Sequence, residues 1–486
     1  MAGILSAYTA AAQDQLGMRM ERFAGLYGNT INPANTAFNP NRWEINLFSA
    51  DVYANNNYGF LGNTGFLKAI THLEDITYVG DTARIGNLPP TAIPQNFSDT
   101  DRNLFGIGQF RIAGPGLSFR INNTWTVGLQ SAVRGLGSGY GVSNALSFPN
   151  LDRTRRFENI QVAPFELAGM GWMEVGLHLS GRFEDNSDIV TAVGITPKVL
   201  MGIEGAYAQS QAAFTYQKKE RDTLSFNGAV WEYGLTLSDV LGDSVPYYNQ
   251  PRNNGRGGGF DLGFAWSMPD ENGADERDYR WRVGVSVVDI GMVRFNRKAL
   301  TYKLVTDTII NVPNSLLNGA SNSYDFSIRL ANAFINDPQG SLLDNAFKVG
   351  LPTALSFQFD YKLLPHLYVG GIWVQRIPLY RVPLKRPNVL AVVPRFEHRW
   401  ASLSVPLVVD DWAGVRLGLA ARLAFLTIGS DNLVSLIHKK QFTGTDFYVG
   451  LKINGFSLFH FPSGKTHKRK AKGNKQNRRK IKCYTF

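Results

Sequence analysis

Hydrophobic and polar residues take turns along much of this chain. Phe260, Leu262, Phe264 and Trp266 alternate with Asp261, Gly263, Ala265 and Ser267. Tyr279, Trp281, Val283, Val285 and Val287 alternate with Arg280, Arg282, Gly284, Ser286 and Val288. The same holds for Leu355–Lys362, Val415–Leu423 and Phe447–Asn454. Successive side chains of a strand point to opposite faces, so each segment separates an oily face from a wet one. A soluble sandwich alternates too. Two features favour a membrane barrel. The apolar faces often end in Trp or Tyr, as an interfacial girdle requires. The polar faces mix Gly, Ala and Ser with single charges, which suits a crowded lumen. In hydrocarbon an unpaired backbone group costs on the order of 2–7 kcal/mol, so such strands must close on themselves.

The pattern predicts strands near 42–53, 106–121, 124–134, 170–182, 189–204, 208–217, 223–236, 258–267, 279–290, 298–305, 353–362, 366–376, 389–397, 400–408, 413–428 and 446–459. Some of these are expected to merge or fail, giving an all-β, transmembrane antiparallel β-barrel of about 14 strands (range 12–16). Polar stretches at 61–103, 135–160, 237–257, 268–278 and 306–350 read as extracellular loops. Tight connections at Leu363–Pro365 and Asp410–Trp412 read as periplasmic turns. Together they break parity with a periplasmic C-terminus, so one strand in 366–408 must be absent or two must be one. The expected organisation is a signal-peptide remnant (1–12), an N-terminal plug-like segment in the lumen or periplasm (13–41), the barrel (42–461) and a polybasic periplasmic tail (462–486).

Composition sharpens this picture. The chain has 486 residues, 49 glycines, 44% apolar and 12% aromatic residues. Its mean hydropathy is −0.15, and the longest apolar runs are too short for a membrane helix. The net charge is +11. Ten cations sit in the tail without an acid: Lys465, Lys468, Arg469, Lys470, Lys472, Lys475, Arg478, Arg479, Lys480 and Lys482; removing ten from +11 leaves +1 for the body. The tail cannot join a core and is expected to order only on a partner. One cysteine, Cys483, rules out a disulfide framework within one chain. Ala10-Ala11-Ala12 before Gln13 resembles a signal-peptidase site.

Three segments carry a family resemblance. Asn32-Pro33-Ala34-Asn35 is similar to the element that opens FadL-like and PorV-like barrels. Gly194-Ile195-Thr196-Pro197-Lys198-Val199-Leu200-Met201-Gly202 resembles a strand of such proteins with Gly, Lys and Gly at this spacing. Ile428-Gly429-Ser430-Asp431-Asn432 resembles a segment near the end of an uncharacterised outer-membrane family, related in style to PorP/SprF barrels and common in bacteria with type IX secretion and gliding. The resemblance spans about residues 13–461. It implies a fourteen-stranded FadL-like barrel, an outer-membrane location and a role beside the type IX machinery. It supplies no catalytic residues, and a basic tail is foreign to the FadL pattern.

Candidate chemistry is sparse. No pair of the seven histidines has metal-ligand spacing. Gly135–Gly141 and Gly255–Gly259 lack the P-loop Lys-Ser/Thr and read as flexible loops. Asp270, Glu271, Asp275, Glu276 and Asp278 miss the EF-hand register. They read as a solvated loop, with divalent bridging to lipopolysaccharide or calcium as the sharper alternative. The candidate lumen charges are Arg111, Arg280, Arg282, Asp360, Lys362, Arg416, Arg422 and Lys452. Their plain reading is structural ion pairing in a plugged lumen; the functional one is a charged pore or solute site. No catalytic residue, cofactor or metal is expected, so the chain reads as a non-enzyme. The expected partners are outer-membrane lipid or lipopolysaccharide and, through the tail, an acidic periplasmic protein or cell-wall polymer, with no nucleic acid. The leading function is a scaffold or accessory barrel; the alternatives are a FadL-like channel for small or hydrophobic solutes and a soluble β-rich polyanion-binding protein.

Overall fold

The computed structural model describes residues 14–455 except 63, 79–90, 98–103, 147–155, 185–187, 220–222, 238–252, 274, 307–309, 314–322, 336–340, 413, 434 and 436–440. The expected signal remnant 1–12 and the ten tail cations lie outside the described residues.

Fourteen antiparallel strands follow one another around a closed barrel. They are β1 (Trp43–Asn56), β2 (104–120), β3 (Trp125–Val142), β4 (Phe165–Glu184), β5 (Val190–Ser210), β6 (Gly255–Pro269) and β7 (Tyr279–Phe295), then β8 (347–364), β9 (Leu367–Arg376), β10 (Val389–Glu397), β11 (401–410), β12 (415–423), β13 (Leu426–Ser430) and β14 (Gly444–Asn454). β14 pairs with β1 from Glu44↔Asn454 to Asn55↔Gly444, which closes the ring. Every strand thereby has two neighbours, as hydrocarbon demands. The outward face carries large exposed apolar side chains such as Leu177, Val199, Phe359, Val415 and Leu423, a surface that hydrocarbon matches and water does not. The closed ring rules out a two-layer sandwich.

Both ends of the chain of strands, the start of β1 and the end of β14, lie at one end of the barrel, here the termini end. Short turns join β2 to β3, β8 to β9, β10 to β11 and β12 to β13 there. The far end carries the long connections. Parity resolves differently from the sequence expectation. All three strands in 366–408 exist, but 413–428 is two strands, with a turn at Ala424 (φ 52°) between them. Asp410–Trp412 therefore sits at the far end, opposite Leu363–Pro365.

Other expectations also shift. Gly135–Gly141 is no loop: β3 runs to Val142, paired with both β2 and β4. Gly255–Gly259 opens β6, where a Cβ on Gly257 would lie 2.0 Å from the Met292 carbonyl oxygen. The segments at 214–218 and 223–227 alternate but leave the barrel wall, whereas 230–236 and 299–305 stay in its sheet and extend it at the far end, 230–236 pairing with Ala206–Ser210 of β5 and 299–305 with 230–236. The first two pair with 159–162 and 310–313 in a separate sheet. Together with helix Ser323–Ile335 they form a far-end cap around Phe214, Tyr216, Phe226 and Phe334. Period-2 patterning cannot tell a lipid-facing strand from one packed on a cap.

Candidate functional site

Residues 14–42 run inside the barrel as three short helical turns, Leu16–Arg19, Gly25–Thr30 and Pro33–Phe38, and almost all of them are buried. The chain can occupy this position because the wall gives way to it. A Cβ on Gly263 would lie 2.0 Å from the Asn32 side-chain oxygen, and one on Gly194 2.3 Å from the Pro33 carbonyl carbon. Gly194 and Gly263 pair directly across β5 and β6. The Asn32 amide donates to the Phe264 carbonyl at 3.0 Å and to Gln358 at 2.8 Å, while its Oδ1 accepts from Ala34 N. At the other end of the segment, the Leu16 N–H donates to Asp431 Oδ2 at 2.8 Å. The three segments that carry the family resemblance thus meet in one structure, the docked plug.

Charges fasten it further. Glu21 accepts from Arg422 at 2.7 Å and from Ser402. Arg22 reaches Asp275 at 2.6 Å and Asp278 at 3.5 Å, and its N–H donates to Glu397 at 3.1 Å. Lys452 donates to the Phe23 carbonyl and, at 3.0 Å, to that of Ala24, with Glu44 at 3.5 Å. Glu44 also accepts from Leu26 N at 2.5 Å. Arg19 lies 3.7 Å from Asp51, and Asp14 pairs with Arg386. Breaking one partner of such a buried pair costs about 3–5 kcal/mol.

The candidate lumen charges divide accordingly. Arg422 and Lys452 hold the plug. Arg111 pairs with Glu174 at 3.3 Å, Arg282 with Asp360 at 3.4 Å and Arg416 with Asp410 at 2.5 Å, all along the inner wall. Asp360 also accepts from Arg395 and from Tyr279 at 2.6 Å. Lys362 sits at the termini rim between Asp270 (2.7 Å) and Asp278 (2.8 Å). Arg280 is a correction: it is exposed, and Tyr279 is buried in its place. The pairing register slips between Met268↔Trp281 and Pro269↔Tyr279, so Arg280 is the extra residue of a bulge that swaps the faces. The acidic loop 270–278 joins β6 to β7 at the termini end, beside the short turns and not with the long connections; Asp270, Asp275 and Asp278 engage Lys362 and Arg22, while Glu271 and Glu276 are exposed.

Sequence reasoning missed the heart of the wall network. Asp289 binds Arg134 through two bonds of 2.8 and 2.9 Å and Lys198 at 2.9 Å. Lys198 also meets Asp261 at 2.8 Å, and Glu174 meets Arg134 at 3.2 Å. Glu174, Lys198 and Asp261 share the inward parity that selected the other candidates. Asp289 does not follow simple alternation: it adopts φ 56° at a second register slip, which turns its carboxylate inward.

A second closure fills the far half. The connection 377–388 folds into the barrel, where Val382 and Leu384 pack with Leu136, Trp172, Leu200 and Phe295. Its Lys385 N–H donates to Ser138 across the lumen at 2.9 Å, and Arg386 reaches down to Asp14 of the plug. Two gaps beside the plug measure about 10 and 20 Å³, room for about one water each. By contrast, a cavity of about 650 Å³ opens at the far end of β2–β5, lined by Tyr58, Leu104, Phe105, Val142, Leu167 and Tyr207 with glycines 106, 139 and 169. That size suits a small ligand.

No curated protein matches the chain. Among solved structures it is similar to the TodX deltaS2S3 mutant monoaromatic hydrocarbon channel, at 9% identity and TM-score 0.38, covering 88% of this chain and 94% of that one. It is also similar to a Pseudomonas aeruginosa FadL homologue (8%, TM-score 0.27, 92% and 99% covered) and to the translocator domain of autotransporter NalP from Neisseria meningitidis (7%, 0.26, 90% and 99%). Residues 33–431, from the plug's Asn-Pro turn to the Asp431 latch, match the family described as "Family of unknown function (DUF5723)", and the chain belongs to that family.

Proposed function

We propose that this protein is an outer-membrane barrel that works as a closed scaffold or accessory component, beside type IX secretion or gliding machinery, and not as a catalyst or an open pore. The observation that carries the reading is the double closure: an ion-paired N-terminal plug below and an apolar loop above, with single-water gaps between plug and wall. A barrel so filled offers surfaces rather than a passage. On this reading the short turns face the periplasm, the usual barrel orientation, and the basic tail that follows β14 leaves the barrel on that side. Deleting residues 463–486 should abolish co-purification of periplasmic partners while the barrel still inserts and shows heat-dependent gel mobility. An unchanged set of co-purified proteins would refute the docking role.

The 650 Å³ apolar cavity favours a second reading, uptake or sensing of a small hydrophobic solute at the outer face. Introducing a charge with Leu104→Glu should remove saturable binding of a fluorescent apolar probe. Equal binding by wild type and variant would count against it.

A further inference from the structure

The termini end carries a charge cluster built differently from the lumen. In the lumen, cations such as Arg134, Lys198 and Arg422 meet buried carboxylates. At the rim, three arginines converge from the ends of β2 and β4 and from the β6–β7 turn. The backbone brings them together. Arg182 N donates to the Thr124 carbonyl at 2.8 Å, Arg277 Nη2 donates to the adjacent Asn123 carbonyl at 3.0 Å, and Arg120 N donates to the Arg42 carbonyl at 2.8 Å. Their side chains meet mostly peptide oxygens. Arg120 Nη2 donates to the carbonyls of Asn39 (2.6 Å), Pro40 (3.0 Å) and Asn41 (3.2 Å), and Arg277 Nη1 donates to that of Ala37. Arg182 Nη1 reaches Glu184, whose side chain is 62% exposed while that of Arg182 is 10% exposed. Arg182 Nε is buried with no hydrogen-bond partner among the described residues. Burial, with Arg120 and Arg182 alongside, holds the Arg277 guanidinium down to about 9.

Carbonyl oxygens satisfy donors but neutralise no charge; the carboxylates near the cluster are Glu184, Glu276 and Asp275, the last already paired with Arg22, so the three arginines with Arg42 beside them outnumber their acids around a buried Nε that has no partner among the described residues. Planar guanidinium forks match tetrahedral oxyanions. We propose that Arg120, Arg182 and Arg277 form a binding site for a phosphate-class oxyanion, either free phosphate or the phosphate of a lipid headgroup, at the mouth where the plug leaves the barrel. The oxyanion accepts from Arg182 Nε and offsets the mutual repulsion of the three cations. Because Arg120 and Arg277 also hold the carbonyls of Ala37 and Asn39–Asn41, occupancy of the site is coupled to the anchorage of the plug's last turn.

The test titrates inorganic phosphate into the full-length protein in zwitterionic detergent, at constant ionic strength against chloride, by calorimetry. Wild type should bind at one saturable site. Arg182→Gln should bind about tenfold more weakly, the loss of one charge-assisted hydrogen bond, and Arg329→Gln, on the cap helix, should bind like wild type. Should Arg182→Gln fail to show the heat-dependent mobility of a folded barrel, Arg182→Lys takes its place and should also weaken binding. Repeating the titration in phosphatidylglycerol nanodiscs separates the sources. Retained phosphate binding identifies the free ion, and its loss, with lipid co-purifying less with the Arg182 variant, identifies the headgroup. Absence of saturation above chloride, equal affinity in a folded Arg182 variant, or binding of polyglutamate without phosphate overturns the proposal; the last would assign the arginines to an acidic chain.

Discussion

Arg422 and Arg280 were selected from the sequence on the same ground, a cation on the polar face of an alternating strand, and they have opposite fates. Arg422 is buried and tied to Glu21 of the plug; Arg280 is exposed at a bulge. Arg422→Ala leaves Glu21 buried without its cation, at a cost of about 3–5 kcal/mol. Arg280→Ala removes a solvated side chain and should stay within about 0.5 kcal/mol. Denaturant unfolding of the two variants in detergent checks this, and the Arg422 variant should also show protease cleavage within 14–42 that wild type resists. The selecting parity was legible because burial forces it. The bulge was not, because one extra residue leaves the local composition unchanged while it flips every side chain beyond it.

At the scale of elements, the plug explains why glycines recur in β5, β6 and β7. Their positions look like ordinary small residues on a lumen face. In the structure Gly194, Gly263 and Gly284 leave the space that Asn32 and Pro33 fill. Gly263→Leu should therefore expel the Asn-Pro turn while the wall strands remain paired. The expected outcome is faster hydrogen exchange confined to residues 25–42 and a stability loss of about 1–3 kcal/mol. Uniform protection across the plug in that variant would show that the turn docks by other contacts. The split of 413–428 into β12 and β13 belongs to this scale as well. Leu423 and Leu426 are both exposed on the outer face, so the outward parity shifts from odd to even positions across the turn at Ala424, which an unbroken strand over 413–428 does not allow.

For the whole molecule, the two closures act in series. The plug is polar and ion-paired; the 377–388 loop is apolar where it enters and touches the plug through Arg386 and Asp14. Removing residues 14–41 alone should leave a barrel still obstructed by the loop, with little or no conductance in a planar bilayer. Removing the plug and shortening 377–388 together should open stable, large conductance steps. Steps of equal size in both variants would place the whole barrier in the plug.

What the sequence by itself determined was the class of object: an antiparallel cylinder of about fourteen strands with hydrocarbon outside, because alternation is a local consequence of backbone geometry and survives any arrangement of the strands. Of the eight charges it singled out, seven lie inward, and of the three resembling segments two dock directly, Gly194 against Pro33, while the third holds Leu16 of the plug through Asp431. What only the tertiary structure decided was which strands stay in the wall, which charges pair, and that the lumen is filled twice. Those depend on register, on bulges and on contacts hundreds of residues apart, such as Glu21 with Arg422 and Asp14 with Arg386, and no local pattern encodes a partner at that distance.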